Sequence, residues 1–248
     1  MNPPLPARLW VVRHGQSAGN VARDEAEGAG REMIDLATRD TDVPLSDLGR
    51  QQAHALAEWF AAQPDAARPQ RLMTSPFIRS MQTCEALAEA LDLRAECVHV
   101  DERLREKEFG VLDRYTRHGI HSKFPDLAAQ RASVGKFYFR PPGGESWCDV
   151  VLRLRSVYDE IKIDHSGHRV LIIAHQVIVN CFRYIVERLD EATILGIDRE
   201  GDVPNCAFVE YRIADDAHCL VLERANYLPQ PVALVGETRA ADVPAGPR

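Results

Sequence analysis

Three places in the chain put a reactive side chain directly after a run of strand-forming residues. Arg13-His14-Gly15 follows Leu9-Trp10-Val11-Val12. Ser75-Pro76 follows Arg71-Leu72-Met73-Thr74, with Arg79 one helical turn later. His175-Gln176 follows Arg169-Val170-Leu171-Ile172-Ile173-Ala174. In open α/β sheets, functional side chains collect just beyond the C-terminal ends of strands. If these three strands are neighbours, two arginines and two histidines share one pocket. Two guanidiniums offer planar, permanently charged forks that match phosphate oxygens. A nearby helix N-terminus adds N–H donors and a positive dipole. One neutral imidazole can attack phosphorus. The other can hydrogen-bond an oxygen as charge develops on it. Gly15 lets the backbone approach a phosphate closely. The protein supplies the cations, so this reading calls for no metal and no cofactor.

The elements that must position these residues alternate between strand and helix. Besides the three strands, Val98-His99-Val100 reads as a short strand, and Ala207–Ile213 with Cys219–Glu223 as a late hairpin. Ala53, Leu56, Ala57 and Phe60 fall on one face of a helix that Ser46 can cap. A second helix follows Pro76. A third runs over about 145–162 with Val150, Val151, Leu154, Val157, Tyr158 and Ile161 as its buried stripe, and a fourth over about 176–188. Residues 21–41 read as a helix start and a long surface excursion, and 103–144 as the least regular stretch. The alternation predicts a three-layer αβα sandwich with a mostly parallel central sheet, in one domain over 1–226. Residues 227–248, rich in Pro, Ala and Gly, are expected to be a loosely ordered tail.

Composition narrows the partners. The 248 residues carry a net charge of −7, with 45% apolar and 27% charged residues. An acidic balance argues against nucleic acid and against an anionic membrane surface. It leaves room for a small phosphorylated metabolite in a local basic pocket. None of the six cysteines forms a C-x-x-C pair, and several sit in apolar runs, as expected of reduced thiols in a cytoplasmic protein. A homodimer is compatible with the sequence, which does not set the oligomeric state.

Six blocks in order resemble the histidine phosphatase superfamily, in its phosphoglycerate-mutase-like branch, over about residues 8–213. They are Arg13, His14, Gly15, Gln16, Ser17 and Asn20; Asp42, Pro44, Leu45, Ser46, Gly49, Gln52 and Ala53; Ser75, Pro76, Arg79, Gln82 and Thr83; Leu104, Glu106 and Gly110; Gly144, Glu145 and Ser146; and the apolar strand ending at His175. The resemblance implies that His14 is the nucleophile and becomes phosphohistidine. It implies that Arg13, Arg79 and His175 hold the phosphoryl oxygens with help from Ser17 and Asn20, and that Glu106 is general acid and base. An alkoxide leaves poorly unless protonated, so a carboxylic acid beside the reacting bond is required. Glu108 competes for that role, and the spacing to Gly110 favours Glu106. His175-Gln176, and the run Lys136-Phe137-Tyr138-Phe139-Arg140-Pro141, resemble the fructose-2,6-bisphosphatase subgroup. They make Gln176, Lys136 and Arg140 candidate substrate contacts. The resemblance implies a metal-independent phosphatase acting on a small phosphomonoester. A mutase is the alternative, and a non-catalytic phosphate-binding member is a third reading.

Overall fold

The computed structural model describes residues 4–214 and 218–239. In chain order, β1 is Arg8–Arg13, α1 Ala18–Gly28, α2 Asp47–Ala61, β2 Arg71–Thr74, α3 Ile78–Ala90 and β3 Val98–Val100. Then come α4 Arg117–Lys123, α5 Pro125–Val134, α6 Trp147–Asp164, β4 Arg169–Ala174, α7 Gln176–Val186 and α8 Glu191–Glu200. The last are β5 Phe208–Ile213, β6 Leu220–Tyr227 and α9 Gln230–Gly236. The six strands form one sheet in the order β3-β2-β4-β1-β5-β6. β3, β2, β4 and β1 run parallel, and β5 and β6 add an antiparallel hairpin at one edge.

Alternation along the strands builds two cores, because successive side chains leave opposite faces of a sheet. Leu9, Val11, Met73, Val170 and Ile172 pack against α6, α7 and Ile194 of α8. Trp10, Val12, Leu72, Leu171 and Ile173 pack with α2, α3 and Val232 of α9. The result is the expected three-layer α/β sandwich. β4 is apolar from Val170 to Ala174 because it is covered on both faces and paired on both edges. In α6 the expected stripe is buried, with Tyr158 only partly so. Among the described residues, no helix is long and apolar enough to cross a membrane.

Two stretches are more ordered than composition suggests. Residues 103–144 contain α4 and α5, which bury little apolar surface and so leave almost no periodic signal. Their small core is Leu112, Ile120 and Phe139. The tail reading is corrected for residues 230–236, which form α9 against α2. Pro231 sits in its first turn, where a missing N–H costs no hydrogen bond, and Val232 is fully buried. Residues 240–248, the rest of the expected tail, lie outside the described residues.

Candidate active site

The sheet register brings the three sequence-predicted positions side by side. Arg13 pairs with Ala174 and Thr74 with Ile173, so the next residue on each strand, His14, Ser75 and His175, emerges at the same edge. The His14 N–H donates to the Ala174 carbonyl at 2.9 Å, and the Ser75 N–H to that of Ile173 at 3.1 Å. The His14 and His175 rings lie 5.1 Å apart between centroids. Arg13, His14 and His175 have no exposed surface.

The tautomer of His14 follows from its partners. Nδ1 lies 2.6 Å from the Gly15 carbonyl oxygen, which can only accept, so Nδ1 carries the proton. Nε2 then presents its lone pair, and Arg79 Nε donates to it at 3.2 Å. His175 Nε2 is 2.8 Å from the Ser75 hydroxyl. Arg13 Nη1 donates to the Val203 carbonyl at 2.6 Å. His14 Nε2, turned to the Arg79 guanidinium and with the His175 ring alongside, sets an imidazole lone pair among groups that can hold a tetrahedral anion.

The loop carrying His14 is held from several sides. A Cβ on Gly15 would lie 2.5 Å from the Gly49 carbonyl oxygen, and one on Gly49 only 1.9 Å from that of Gln16. The two glycines let the start of α2 press against the loop, so Gly15 answers to protein packing here. The Gln16 N–H donates to Gln52 Oε1 at 2.8 Å, and Asn205 Nδ2 donates to the His14 carbonyl at 2.9 Å. The Thr238 hydroxyl ties these two supports together, accepting from Gln52 Nε2 and donating to Asn205 Oδ1, each at 2.9 Å. A chain ended after Gly236 loses this brace. It is expected to keep its far-ultraviolet circular dichroism and lose roughly tenfold or more in turnover, the order of effect of a misplaced reactive group. Undiminished turnover would show the brace to be dispensable.

Above this floor, a pocket is lined by Ser17, Asn20, Arg23, Arg79, Glu106, Asp113 and Arg114, among others. Ser17 and Asn20 form a capping box at the start of α1. Ser17 N–H donates to Asn20 Oδ1 at 2.9 Å, which turns the amide oxygen towards Ser17 and the NH2 end away. Glu106 is 1% exposed, and its Oε1 accepts from the Lys107 N–H at 2.7 Å. Glu108 is exposed and lines an adjoining pocket with Lys107, Phe109 and Phe77. Gln176 is not among the residues that line this pocket, and its Nε2 donates to Asp202 at 2.6 Å. Arg140 is exposed and paired with Asp149. Among the described residues, one group of side chains has metal-ligand spacing, His99, Asp101 and Glu160. None of the three lines these pockets, and Arg103 already bridges the two carboxylates.

A family model for the histidine phosphatase superfamily (branch 1) matches residues 9–226. The chain belongs to that superfamily. It is 33% identical over 189 residues to a 2,3-bisphosphoglycerate-dependent phosphoglycerate mutase of Gloeobacter violaceus, across 74% of this chain and 76% of the relative. It is 30% identical over 187 residues to the 6-phosphofructo-2-kinase/fructose-2,6-bisphosphatase of Gallus gallus, across 75% of this chain. The chain spans about a third of the length of that bifunctional relative, 34%. Among solved structures, a mycobacterial glucosyl-3-phosphoglycerate phosphatase superposes with a TM-score of 0.69 at 26% identity, over 89% of this chain and 98% of the other. Phosphoryl transfer is the chemistry these superfamily members share.

Sequence reasoning missed Asp40, Lys107, Asn205 and Thr238 around the site. Asp40 and Thr238 stand in irregular or Pro/Ala-rich surroundings, and only three-dimensional contacts single them out. Cys206 closes the turn that holds Asn205, and the Pro204-Asn205 pair before it is a weak turn signal in the sequence. The Cys206 φ of 61° and its N–H bond to the Arg13 carbonyl belong to a tight turn just before β5.

Proposed function

We propose that the protein is a metal-independent phosphatase that hydrolyses a small phosphomonoester through a phosphohistidine on His14. The observation that carries this reading is the fixed Nδ1–H tautomer, which leaves the Nε2 lone pair facing the Arg79 guanidinium. Nε2 attacks phosphorus as the ester P–O bond breaks, and Glu106 gives its proton to the departing oxygen. Arg13, Arg79 and His175 stabilise the charge on the non-bridging oxygens, with Ser17 and Asn20 at the pocket rim. Water then attacks the phosphohistidine, with Glu106 taking its proton.

Charge beyond Glu106 supports a substrate with a second anionic group. Burial holds the Lys107 ammonium down to about 8; Glu106 opposes that shift and Arg131 and Lys136 add to it. Among the described residues Lys107 has no ion-pair partner, and its Nζ lies 4.3 Å from the centre of the Phe109 ring. The names of the relatives specify a fructose bisphosphate, a bisphosphoglycerate and a glucosyl phosphoglycerate. Each carries a second phosphate or a carboxylate. A sugar or glycerate phosphate of this kind fits the basic end of the pocket.

The test is a panel of phosphorylated sugars, glycerates and nucleotides, with and without EDTA. Hydrolysis that survives EDTA and favours esters with a second anion is expected. Activity lost to the chelator and restored by a divalent metal would overturn the metal-free route. The mutase relative makes re-attack by bound product the second reading. It predicts a phosphoryl isomer, rather than inorganic phosphate, as the main product.

Lys107→Met separates binding from stability. It is expected to raise KM for substrates with two anionic groups by roughly tenfold, about the worth of one charged contact. KM for p-nitrophenyl phosphate should hardly move. The lysine's folded value lies below its ordinary value of 10.5, so proton binding favours the unfolded chain. The native protein should therefore gain stability as pH rises from about 8 towards 10.5 and carry the full cost below about 8. The methionine variant should lack that slope and be more stable at pH 7 by on the order of 2 kcal/mol. Denaturant melts at pH 7 and 10 measure both.

A further inference from the structure

Arg79 is divided between two partners. Its Nε donates to His14 Nε2 at 3.2 Å, while Nη1 donates to the backbone carbonyl of Asp40 at 2.6 Å and Nη2 to Asp40 Oδ2 at 3.2 Å. Asp40 Oδ1 lies 3.1 Å from Nη1, so the carboxylate faces both Nη atoms. The guanidinium is 2% exposed on its side chain, and Phe77 lies against it, 4.9 Å from ring centre to Cζ. A guanidinium has five N–H bonds in one plane. With the Nη end given to Asp40, the remaining edge consists of Nε–H and the second Nη2 hydrogen, and that edge faces the nucleophile.

Asp40 is itself fixed. It opens a short turn of 3-10 helix, Asp40–Asp42, within the excursion between α1 and α2. Arg114 holds that excursion by donating to the carbonyls of Leu36 at 2.9 Å and Thr38 at 2.8 Å. On the other side, the Ala18 N–H donates to the Pro44 carbonyl at 2.9 Å, and Ser17 bridges to Leu45. The excursion therefore offers Arg79 one carboxylate at a set place rather than a mobile surface acid.

We propose that Asp40 is a positioning residue for phosphoryl transfer, aligning Arg79 so that its Nε/Nη2 edge receives the phosphoryl oxygens beside His14. This rests on the reading of Arg79 as a phosphoryl ligand given above. Before substrate arrives, Arg79 Nε–H covers the lone pair of His14 Nε2. An entering phosphoryl group takes over the Nε and Nη2 donors and releases the lone pair for attack, while Asp40 keeps the guanidinium from following the phosphate out of line. A planar fork held at its far end keeps its direction, and direction is what an in-line displacement needs.

The competing role for the same contact is a blocking one, with the Asp40 carboxylate standing in for substrate oxygens. The two roles predict opposite changes. Asp40→Asn, Asp40→Glu, Arg79→Ala and the double variant Asp40→Asn/Arg79→Ala would be assayed for kcat and KM with p-nitrophenyl phosphate, for inhibition by orthovanadate and for thermal stability. The positioning role predicts that Asp40→Asn lowers kcat by roughly 10- to 100-fold and weakens vanadate inhibition, with KM and melting temperature moving little. It also predicts that Asp40→Glu recovers part of the loss, and that Asp40→Asn costs almost nothing further once Arg79 is alanine. Tighter vanadate inhibition or faster turnover in Asp40→Asn would overturn the proposal, as would a loss fully additive with Arg79→Ala. Turnover unchanged in Asp40→Asn while Arg79→Ala is impaired would overturn it too. Unimpaired Arg79→Ala would instead overturn the assignment of the site on which the proposal stands.

Discussion

Replacing His14 by alanine is expected to abolish phosphoenzyme formation and to lower turnover by about 10⁴-fold or more, as loss of a nucleophile does elsewhere. The magnitude follows from the surroundings. In the proposed mechanism the other pocket residues bind and stabilise, and none of them is the group that takes the phosphoryl. His175 lies one strand away, its ring 5.1 Å from that of His14 and its Nε2 beside the Ser75 hydroxyl. Rapid mixing with a ³²P-labelled ester followed by an alkaline quench should trap an acid-labile, base-stable adduct on the native protein and none on the variant. Vanadate should still bind the variant through Arg13, Arg79 and His175, which separates loss of chemistry from loss of the pocket. A labelled adduct that survived the substitution would move the nucleophile to another residue.

The second large effect concerns the proton. Glu106→Gln is expected to lower kcat on an alkyl phosphate by roughly 10²- to 10⁴-fold, the worth of a placed general acid. The leaving group decides how that loss is divided. A nitrophenolate departs without a proton, so the first step with p-nitrophenyl phosphate should stay fast while hydrolysis of the phosphohistidine slows. The variant should then release a burst of nitrophenol and accumulate phosphoenzyme. Glu108→Gln should change either rate no more than a few-fold, because Glu108 is exposed and lines the adjoining pocket whereas Glu106 is 1% exposed in the lining beside Arg79. If only the Glu108 variant lost activity, the acid–base assignment would pass to that residue.

The sheet and its reactive edge were legible because they obey strong local rules. Apolar strands ending at Arg13, Thr74 and Ala174, each followed by chemistry-bearing residues, mark where a site would form if the strands were neighbours, and the sheet makes them so. Ser46 as the cap of α2 and the buried stripe of α6 were equally direct. Short helices such as α4 and α5 were not, since a helix that buries few side chains has no periodicity to read. β6 extends to Tyr227, beyond the expected Glu223, where Arg224 pairs with Glu210 across the hairpin and no buried residue leaves an alternating apolar signal. In the site, residue types marked the candidate phosphate ligands. They were silent on the residues packed behind them, since Asp40, Asn205 and Thr238 are singled out only by distance and direction.

The brace at Thr238 has a consequence for how the enzyme comes into being. The bond from Asn205 to His14 spans 191 residues, and the bond from Gln52 to Thr238 spans 186. Chains are made from the N-terminus, and contacts between distant parts of a sequence form late. The ribosome therefore makes His14 well before the residues that brace it. A growing chain carries an unbraced His14 until residues 205–238 have been made and fold back over its loop. A braced His14 in this architecture marks a chain made and folded as far as Thr238.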